Sequence, residues 1–396
     1  MGNLNKDIII LSKKYSTQMI ALRRQLHQYP EVALEEFRTQ KTIASKLKEI
    51  GCSVDTKIWK TAVIGKLTGK HKGKTIAIRS DMDALPVMER TGLPFTSKIE
   101  GRMHACGHDV HMSIVWGAAK ILSQLKENIN GGIKFIYQPS EERHPGGAKF
   151  LIANGVLKNP KVAMVLGLHV EPTLQVGKIG IKDGPMMAQS DNFLLVILGR
   201  SGHAARPHET VDAIVVAASI VTALQNISSR QVSPLEPVVI TIGKINGGVA
   251  TNVIADRVEI KGTVRTINAQ LTRAIPSMIE KIVAGICNAY GARYEFHYER
   301  GYPSLANSKK VNDLYRQSIA ELFGKKAVYE IPEPVMGAED FAYYARKVPA
   351  AMMRLGVRNE QIGADKPWHH PQFKVDEKAI PIGAAVLANA VMKVLG

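Results

Sequence analysis

The segment His104-Ala105-Cys106-Gly107-His108-Asp109-Val110-His111 constrains the fold of this chain more than any other. It crowds three imidazoles, a thiol and a carboxylate into eight residues, directly ahead of an apolar helical run carried by Ile114, Val115, Ala118, Ile121, Leu122 and Leu125. Burying so many ionisable groups together costs on the order of a few kcal/mol or more unless they are neutralised, and a divalent cation neutralises thiolate and imidazole at once. The segment therefore reads as the heart of a metal site rather than as a His-rich surface turn.

The surrounding pattern supplies partners for it. Apolar strands are expected at 62–67 and at 75–78, the second running into Arg79-Ser80-Asp81-Met82-Asp83. Another at 133–137 ends in Gln138-Pro139-Ser140-Glu141-Glu142, and one at 162–168 ends in His169. Three times an apolar strand delivers metal-competent residues just past its C-terminal end, the edge at which open α/β sheets build their sites. Helices are expected at 6–28, stopped by Pro30, and at 35–50, stopped by Gly51.

At 396 residues the chain exceeds one typical core. Around 180–189 the texture changes. Strands at 192–198, 238–245, 257–264 and 293–298 alternate with helices at 211–227 and 271–290 in the order strand, helix, strand, strand, helix, strand, as in a ferredoxin-like α+β module. The expected division is residues 1–184 and 301–396 as one α/β domain, with a mixed central sheet flanked by helices, and 185–300 as an insertion.

Composition excludes other classes. With 45% hydrophobic and 22% charged residues and no run of eighteen apolar residues, no membrane span is expected. The short run Asp7-Ile8-Ile9-Ile10-Leu11 lacks a small-residue cleavage site, so no signal peptide is read and a cytoplasmic location follows. Three cysteines, Cys52, Cys106 and Cys287, form no disulfide framework, which agrees with a reducing compartment. The net charge of +17 is scattered and not interleaved with aromatics, which argues against nucleic acid. A diffuse positive field still favours small anionic substrates, screened beyond roughly 8 Å at physiological salt.

Nine motifs run nearly end to end: RSDMDALP (79–86), HACGHDVH (104–111), QPSEE (138–142), GLHV (167–170), SGHAARPH (201–208), TNVIAD (251–256), GTVRT (262–266), GAEDF (337–341) and WHHPQF (368–373). Together they resemble the aminoacylase-like dinuclear metallohydrolases, in the amidohydrolase branch that holds hippurate hydrolases, plant auxin-conjugate hydrolases and thermostable archaeal carboxypeptidases. The resemblance implies a metal-dependent exopeptidase-type catalytic domain, a lid and dimerisation domain, and two divalent ions per subunit. Zinc and manganese both fit the mixed donor set, with cobalt as a substitute.

It further implies that Cys106 bridges both ions, that His108 and His169 complete one, and that Glu142 and His369 complete the other. The His369-His370 doublet offers two ligands; Pro371 sets the register and selects His369, with Cys52 and Cys287 left as small buried hydrophobes. Glu141 and Glu142 point in different directions at a strand end, so one can bind metal while Glu141, as general base and then acid, serves a water activated by the ions. Asp83 orients a metal-binding imidazole or tunes the metal. Asp81 and Asp109 act likewise, or are plain cap or turn residues.

In the insertion, the resemblance has His203 cross a dimer interface to polarise the scissile carbonyl in the other subunit's site. Asn252 contacts substrate, Arg265 receives a substrate carboxylate through paired hydrogen bonds, and Gly337 joins the substrate-binding set. The lid would close on hinges near Gly184 and Gly301. The implied reaction is hydrolysis of the amide bond of an N-acyl-L-amino acid or of the C-terminal residue of a short or blocked peptide, the substrate being a small molecule or short peptide with a free carboxylate. The alternative is a deacetylase of a biosynthetic intermediate of the N-acetyl-diaminopimelate type.

Overall fold

Strands with long apolar runs and no polar alternation must be covered on both faces, and four such strands lie side by side here. In the computed structural model, which describes residues 2–396, Asn130–Gln138, His71–Asp81, Val162–Gln175 and Ala350–Arg358 pair in parallel in that order. Val63–Thr68 and Ser53–Asp55 extend one edge antiparallel; Ile179–Ile181, antiparallel to Ala350–Arg358, and Val328–Glu330 extend the other. This eight-stranded mixed sheet belongs to a unit made of the chain up to Gly184, Ala306–Glu333 and Asp340–Gly396.

Helices cover the sheet. His108–Gln124 and Ala379–Leu395 are buried almost all round and pack on each other and on Gly2–Gln28. The crossing is close because Gly117 has no side chain: a Cβ there would stand 2.1 Å from Met19 Sδ. One buried ionic network ties the first helix to the central one. Asp109, in the first turn of His108–Gln124, accepts from Arg23 Nε at 2.7 Å and from His27 Nδ1 at 2.9 Å, and His27 Nε2 reaches Glu89 at 3.2 Å. Asp109 is therefore an anchor between helices.

The second unit comprises Pro185–Leu305 with Pro334–Glu339. Its antiparallel sheet runs Val238–Gly247, Arg257–Thr266, Gln189–Leu198, Arg293–Tyr302, and the helices Ala213–Asn226 and Ala269–Tyr290 pack on it. Numbered along the unit, that order is 2-3-1-4, the ferredoxin-like arrangement. Burial alternates residue by residue along Arg257–Thr266, as half-covered strands require. Asp212 caps Ala213–Asn226 by accepting the Ile214 N–H at 2.9 Å. That helix is apolar on more than its packed side and leaves Ile214 and Val215 about half exposed, and the edge strand Val238–Gly247 exposes Ile245 similarly.

The structure corrects several expected boundaries. The strand expected to stop before His169 continues to Gln175 because Ala350–Arg358 pairs alongside it past that point, so His169 lies within a strand. Arg79, Ser80 and Asp81 are likewise strand residues. The second helix begins at Phe37, leaving Glu36 outside as its N-cap. The second unit runs on past 301 to Leu305 and also takes in 334–339, where Val335 N–H bonds Met186. Gly337 thus belongs with the insertion.

All three tryptophans, Trp59, Trp116 and Trp368, lie in the first unit, so their fluorescence reports on it alone. Asp109→Ala strips Arg23 and His27 of their shared buried partner and should lower its unfolding free energy by about 3 kcal/mol. A loss under about 1 kcal/mol in a fluorescence-monitored urea titration would show that Asp109 does not anchor the helices.

Candidate metal centre and active site

Parallel pairing sets the C-terminal ends of three strands next to one another. Asp81 is level with Gln138, and Arg79 with Gly167. The chain then leaves each strand, or continues along it, through Met82-Asp83, through Pro139 to Glu142, and through His169. The turn 104–107 arrives above them and leads into the central helix. Gly107 takes φ 89°, a left-handed conformation, and a Cβ on it would lie 2.6 Å from Val170 Cγ2. Glycine is required there for the turn and for the close approach to the strand carrying His169.

Two sets of donors meet at one sulfur. One donor atom each from Cys106, His108 and His169 lie within 4.8 Å of one another, and so do those of Cys106, Glu142 and His369. Cys106 Sγ is 3.4 Å from His169 Nε2, while Glu142 Oε1 is 3.8 Å from His108 Nε2 and 3.5 Å from His369 Nε2. The outer nitrogens of the two buried histidines are occupied. His108 Nδ1 donates to the Asp83 carbonyl and His169 Nδ1 to the Val170 carbonyl, each at 2.8 Å. Nε2 of each ring is therefore the nitrogen left on the side of the sulfur.

The electrostatics of this cluster call for cations. Burial alone would lower His108, but Asp81, Asp83 and Glu142 outweigh it and take its pKa up to about 10. Burial, reinforced by Glu142, Glu141 and Asp81, pushes the Cys106 thiol well above its usual range. His108 Nε2 and Glu142 Oε1 are buried without hydrogen-bond partners. A soft sulfur, imidazole nitrogens and a carboxylate, with their donor atoms gathered within 4.8 Å and two of them without hydrogen-bond partners, fit transition-metal or zinc ions.

Asp81, His111 and Arg79 nearby are engaged in framing the cluster. Burial disfavours the Asp81 carboxylate, yet His108, His111 and Arg79 hold it well below the usual range. Asp81 accepts from His111 Nδ1 at 2.6 Å and from Arg79 Nη1 at 2.7 Å; Arg79 Nη2 also donates to Asp340 at 2.8 Å. His111 Nε2 accepts the Val170 N–H at 2.9 Å, so neither ring nitrogen is left for a metal. His111 and the Arg79–Asp340 pair were not singled out from sequence. The signal for His111 was its spacing of three from His108, which puts both on one helix face. His104, also buried, is driven down to about 3 by burial and stays neutral.

Asp83 meets His108 Nδ1 with its carbonyl at 2.8 Å and with its carboxylate at 3.6 Å, and its two carboxylate oxygens also accept the N–H groups of Glu141 and Glu142, each at 2.9 Å. Glu142 then turns to the sulfur and to His369. Glu141, 7% exposed, has a carboxylate oxygen within 4.8 Å of donors on His108 and Glu142. The loop 368–373 is seated by the His369 N–H on the Ala105 carbonyl, the Arg90 N–H on the Pro371 carbonyl, and the Trp368 indole N–H on the Val170 carbonyl. Within the doublet, His369 stands beside Glu142, whereas His370 Nδ1 accepts the Gln372 N–H inside its own turn.

The remaining expected residues lie in the second unit and fall into two pairs. His203 is exposed on a two-residue strand, Gly202–His203, paired with Val253–Ile254; its Nδ1 accepts the Ala205 N–H, and the neighbouring Asn252 carbonyl accepts the Ala204 N–H. Arg265 Nη1 donates to the Met336 carbonyl at 2.9 Å, beside Gly337, whose carbonyl accepts the Ala188 N–H.

Comparison with known proteins agrees with this chemistry. Residues 77–393 match the profile described as peptidase family M20/M25/M40. An N-acetylcysteine deacetylase of Bacillus subtilis is 38% identical over 97% of this chain and 98% of its own length. Thermostable carboxypeptidase 1 of Saccharolobus solfataricus is 39% identical over 95% of this chain and 94% of its own. A solved Bacillus subtilis structure, described as a dinuclear metal-binding peptidase from family M20, has a TM-score of 0.85 at 35% identity, over 97% of this chain and 99% of that one. Sequence and fold agree over almost the whole length, and the chain belongs to peptidase family M20/M25/M40.

Proposed function

We propose that the protein is a dinuclear metal-dependent amidohydrolase or carboxypeptidase that cleaves the amide bond of N-acyl-L-amino acids, or of the C-terminal residue of short or blocked peptides. The observation that carries this reading is the buried Cys106 sulfur shared by two three-residue donor sets. Cys106, His108 and His169 would hold one ion, and Cys106, Glu142 and His369 the other. Zinc or manganese, with cobalt as a substitute, would supply Lewis acidity and a lowered pKa for water.

The chain's own residues do the rest. Glu141 takes a proton from water and returns it to the leaving amine, while Asp83 holds its backbone. His203 donates to the scissile carbonyl oxygen as charge develops there, a contribution of about 3 kcal/mol, and does so for substrate on a second copy of the chain. Asn252 and Gly337 contact substrate, and the Arg265 fork pairs with its carboxylate. The apolar surface left by Ile214, Val215 and Ile245 supports a homodimer formed through the second unit. The three cysteines, all unpaired and buried, fit a cytoplasmic enzyme.

Stripped of metal and titrated with zinc or manganese, the protein should regain amine release from N-acetyl, N-benzoyl and benzyloxycarbonyl amino acids as two equivalents bind. Activity complete at one equivalent, or no tight binding, would overturn the dinuclear reading. Glu141→Gln should keep both ions and lose at least about a hundred-fold in kcat; near-normal turnover would remove Glu141 from the mechanism. Inactive Glu141→Gln and inactive His203→Ala subunits should recover activity on mixing, and no recovery despite verified subunit exchange would rule out a site shared between copies. Arg265→Ala should lose far more kcat/KM on free acids than on the corresponding amides, and equal losses would reject carboxylate recognition.

A further inference from the structure

Glu36 is fully buried, yet it serves no part of the site described above. It is the N-cap residue of Phe37–Lys48 but makes no capping bond with its side chain. Glu31 does that work: its carboxylate oxygens accept the N–H groups of Arg38 and Thr39 at 3.0 and 2.8 Å. Relieved of its own helix, the Glu36 carboxylate reaches across the fold. Oε1 accepts the Ser140 N–H at 3.0 Å, and Oε2 accepts the Thr61 hydroxyl at 2.5 Å.

Three consecutive amides are thereby held by two buried carboxylates. Ser140 N–H goes to Glu36, and the N–H groups of Glu141 and Glu142 go to Asp83. Ser140 has φ 58°, a left-handed conformation uncommon for a residue with a side chain, so the chain bends here only because its surroundings impose it. Two carboxylates buried this close oppose each other: burial first, and then the Asp83 charge, raise Glu36 to about 7. A packing role alone would be served better by an apolar side chain.

We propose that Glu36, oriented by Thr61, is a positioning residue that clamps the Ser140–Glu142 turn and so fixes the direction in which Glu141 meets water and substrate. The inference rests on the role of Glu141 proposed above. Removing the clamp frees the Ser140 amide, and the turn is then held from one end only, by Asp83 on the Glu141 and Glu142 amides, which lets the Glu141 carboxylate drift.

The test compares wild type, Glu36→Ala, Glu36→Gln and Thr61→Val, each loaded with metal. Glu36→Ala should lower kcat about ten- to a hundred-fold, as small misplacements of a reacting group do, with KM within about two-fold and both ions retained by elemental analysis. Glu36→Gln still offers an oxygen to the Ser140 N–H and should remain within about three-fold of wild type. Thr61→Val should have a smaller effect, absent when combined with Glu36→Ala. A wild-type kcat in Glu36→Ala, a Glu36→Gln as slow as Glu36→Ala, or a kcat loss that tracks loss of metal would each overturn the clamp. If Glu36→Ala does not fold, Thr61→Val decides, and a wild-type kcat there overturns it. Amide exchange at Ser140 reads the clamp without catalysis: it should quicken at least about ten-fold in Glu36→Ala, and measurably but by less in Thr61→Val. A metal-loaded wild type without activity but with that quickening would overturn the hydrolase and leave the clamp standing; unchanged exchange would overturn the clamp alone.

Discussion

Buried carboxylates under the C-terminal edge of the sheet are the constraint on which the first unit is arranged. Asp81, Asp83, Glu36, Asp340 and Glu141 are all buried there, and Glu142 is nearly so. Each carboxylate that frames the site has partners. Asp81 has Arg79 and His111, Asp340 has Arg79, Gln138 and the Ala148 amide, and Asp83 and Glu36 share three amides and a hydroxyl. Glu142 faces instead a thiol and two imidazoles, groups that share its preference for a cation. The frame is closed with protein groups, and the donors at the centre are of the kind that binds metal.

Much of this was legible in the sequence because the informative residues sit at short spacing next to a strand or helix signal. The eight residues from His104, the acidic doublet after the strand at 130–138, and the motif order together gave the family and the mixed α/β fold, which the comparisons and the sheet bear out. What was not legible depends on long-range pairing. That His169 lies inside its strand follows from Ala350–Arg358 running beside it. Glu36 lies inside the helix expected at 35–50, and nothing local marks it because its partner, Ser140, is 104 positions away. The double engagement of His111 involves an aspartate 30 residues before it and an amide 59 residues after it.

The two units also differ in what their sequences disclose. In the insertion, alternation along Arg257–Thr266 and the apolar helix Ala213–Asn226 specify one covered sheet face almost by themselves. Its end was harder to read. The strand Arg293–Tyr302 keeps its pairing to Tyr302, and the return of 334–339 leaves no composition signal, since it rests on backbone bonds to Met186 and Ala188.

The packing of the first helix against the last has a consequence for synthesis. Gly2–Gln28 lies against both His108–Gln124 and Ala379–Leu395, and Asn389 donates to Asn5 across the latter contact. During translation Gly2–Gln28 is made before the insertion, but one of the surfaces it needs is made after it. The insertion, nearly continuous in sequence, can assemble as soon as it is made, while the first unit waits for the segment that follows the insertion. Until then the apolar flank of His108–Gln124 that Ala379–Leu395 covers has no partner within the chain.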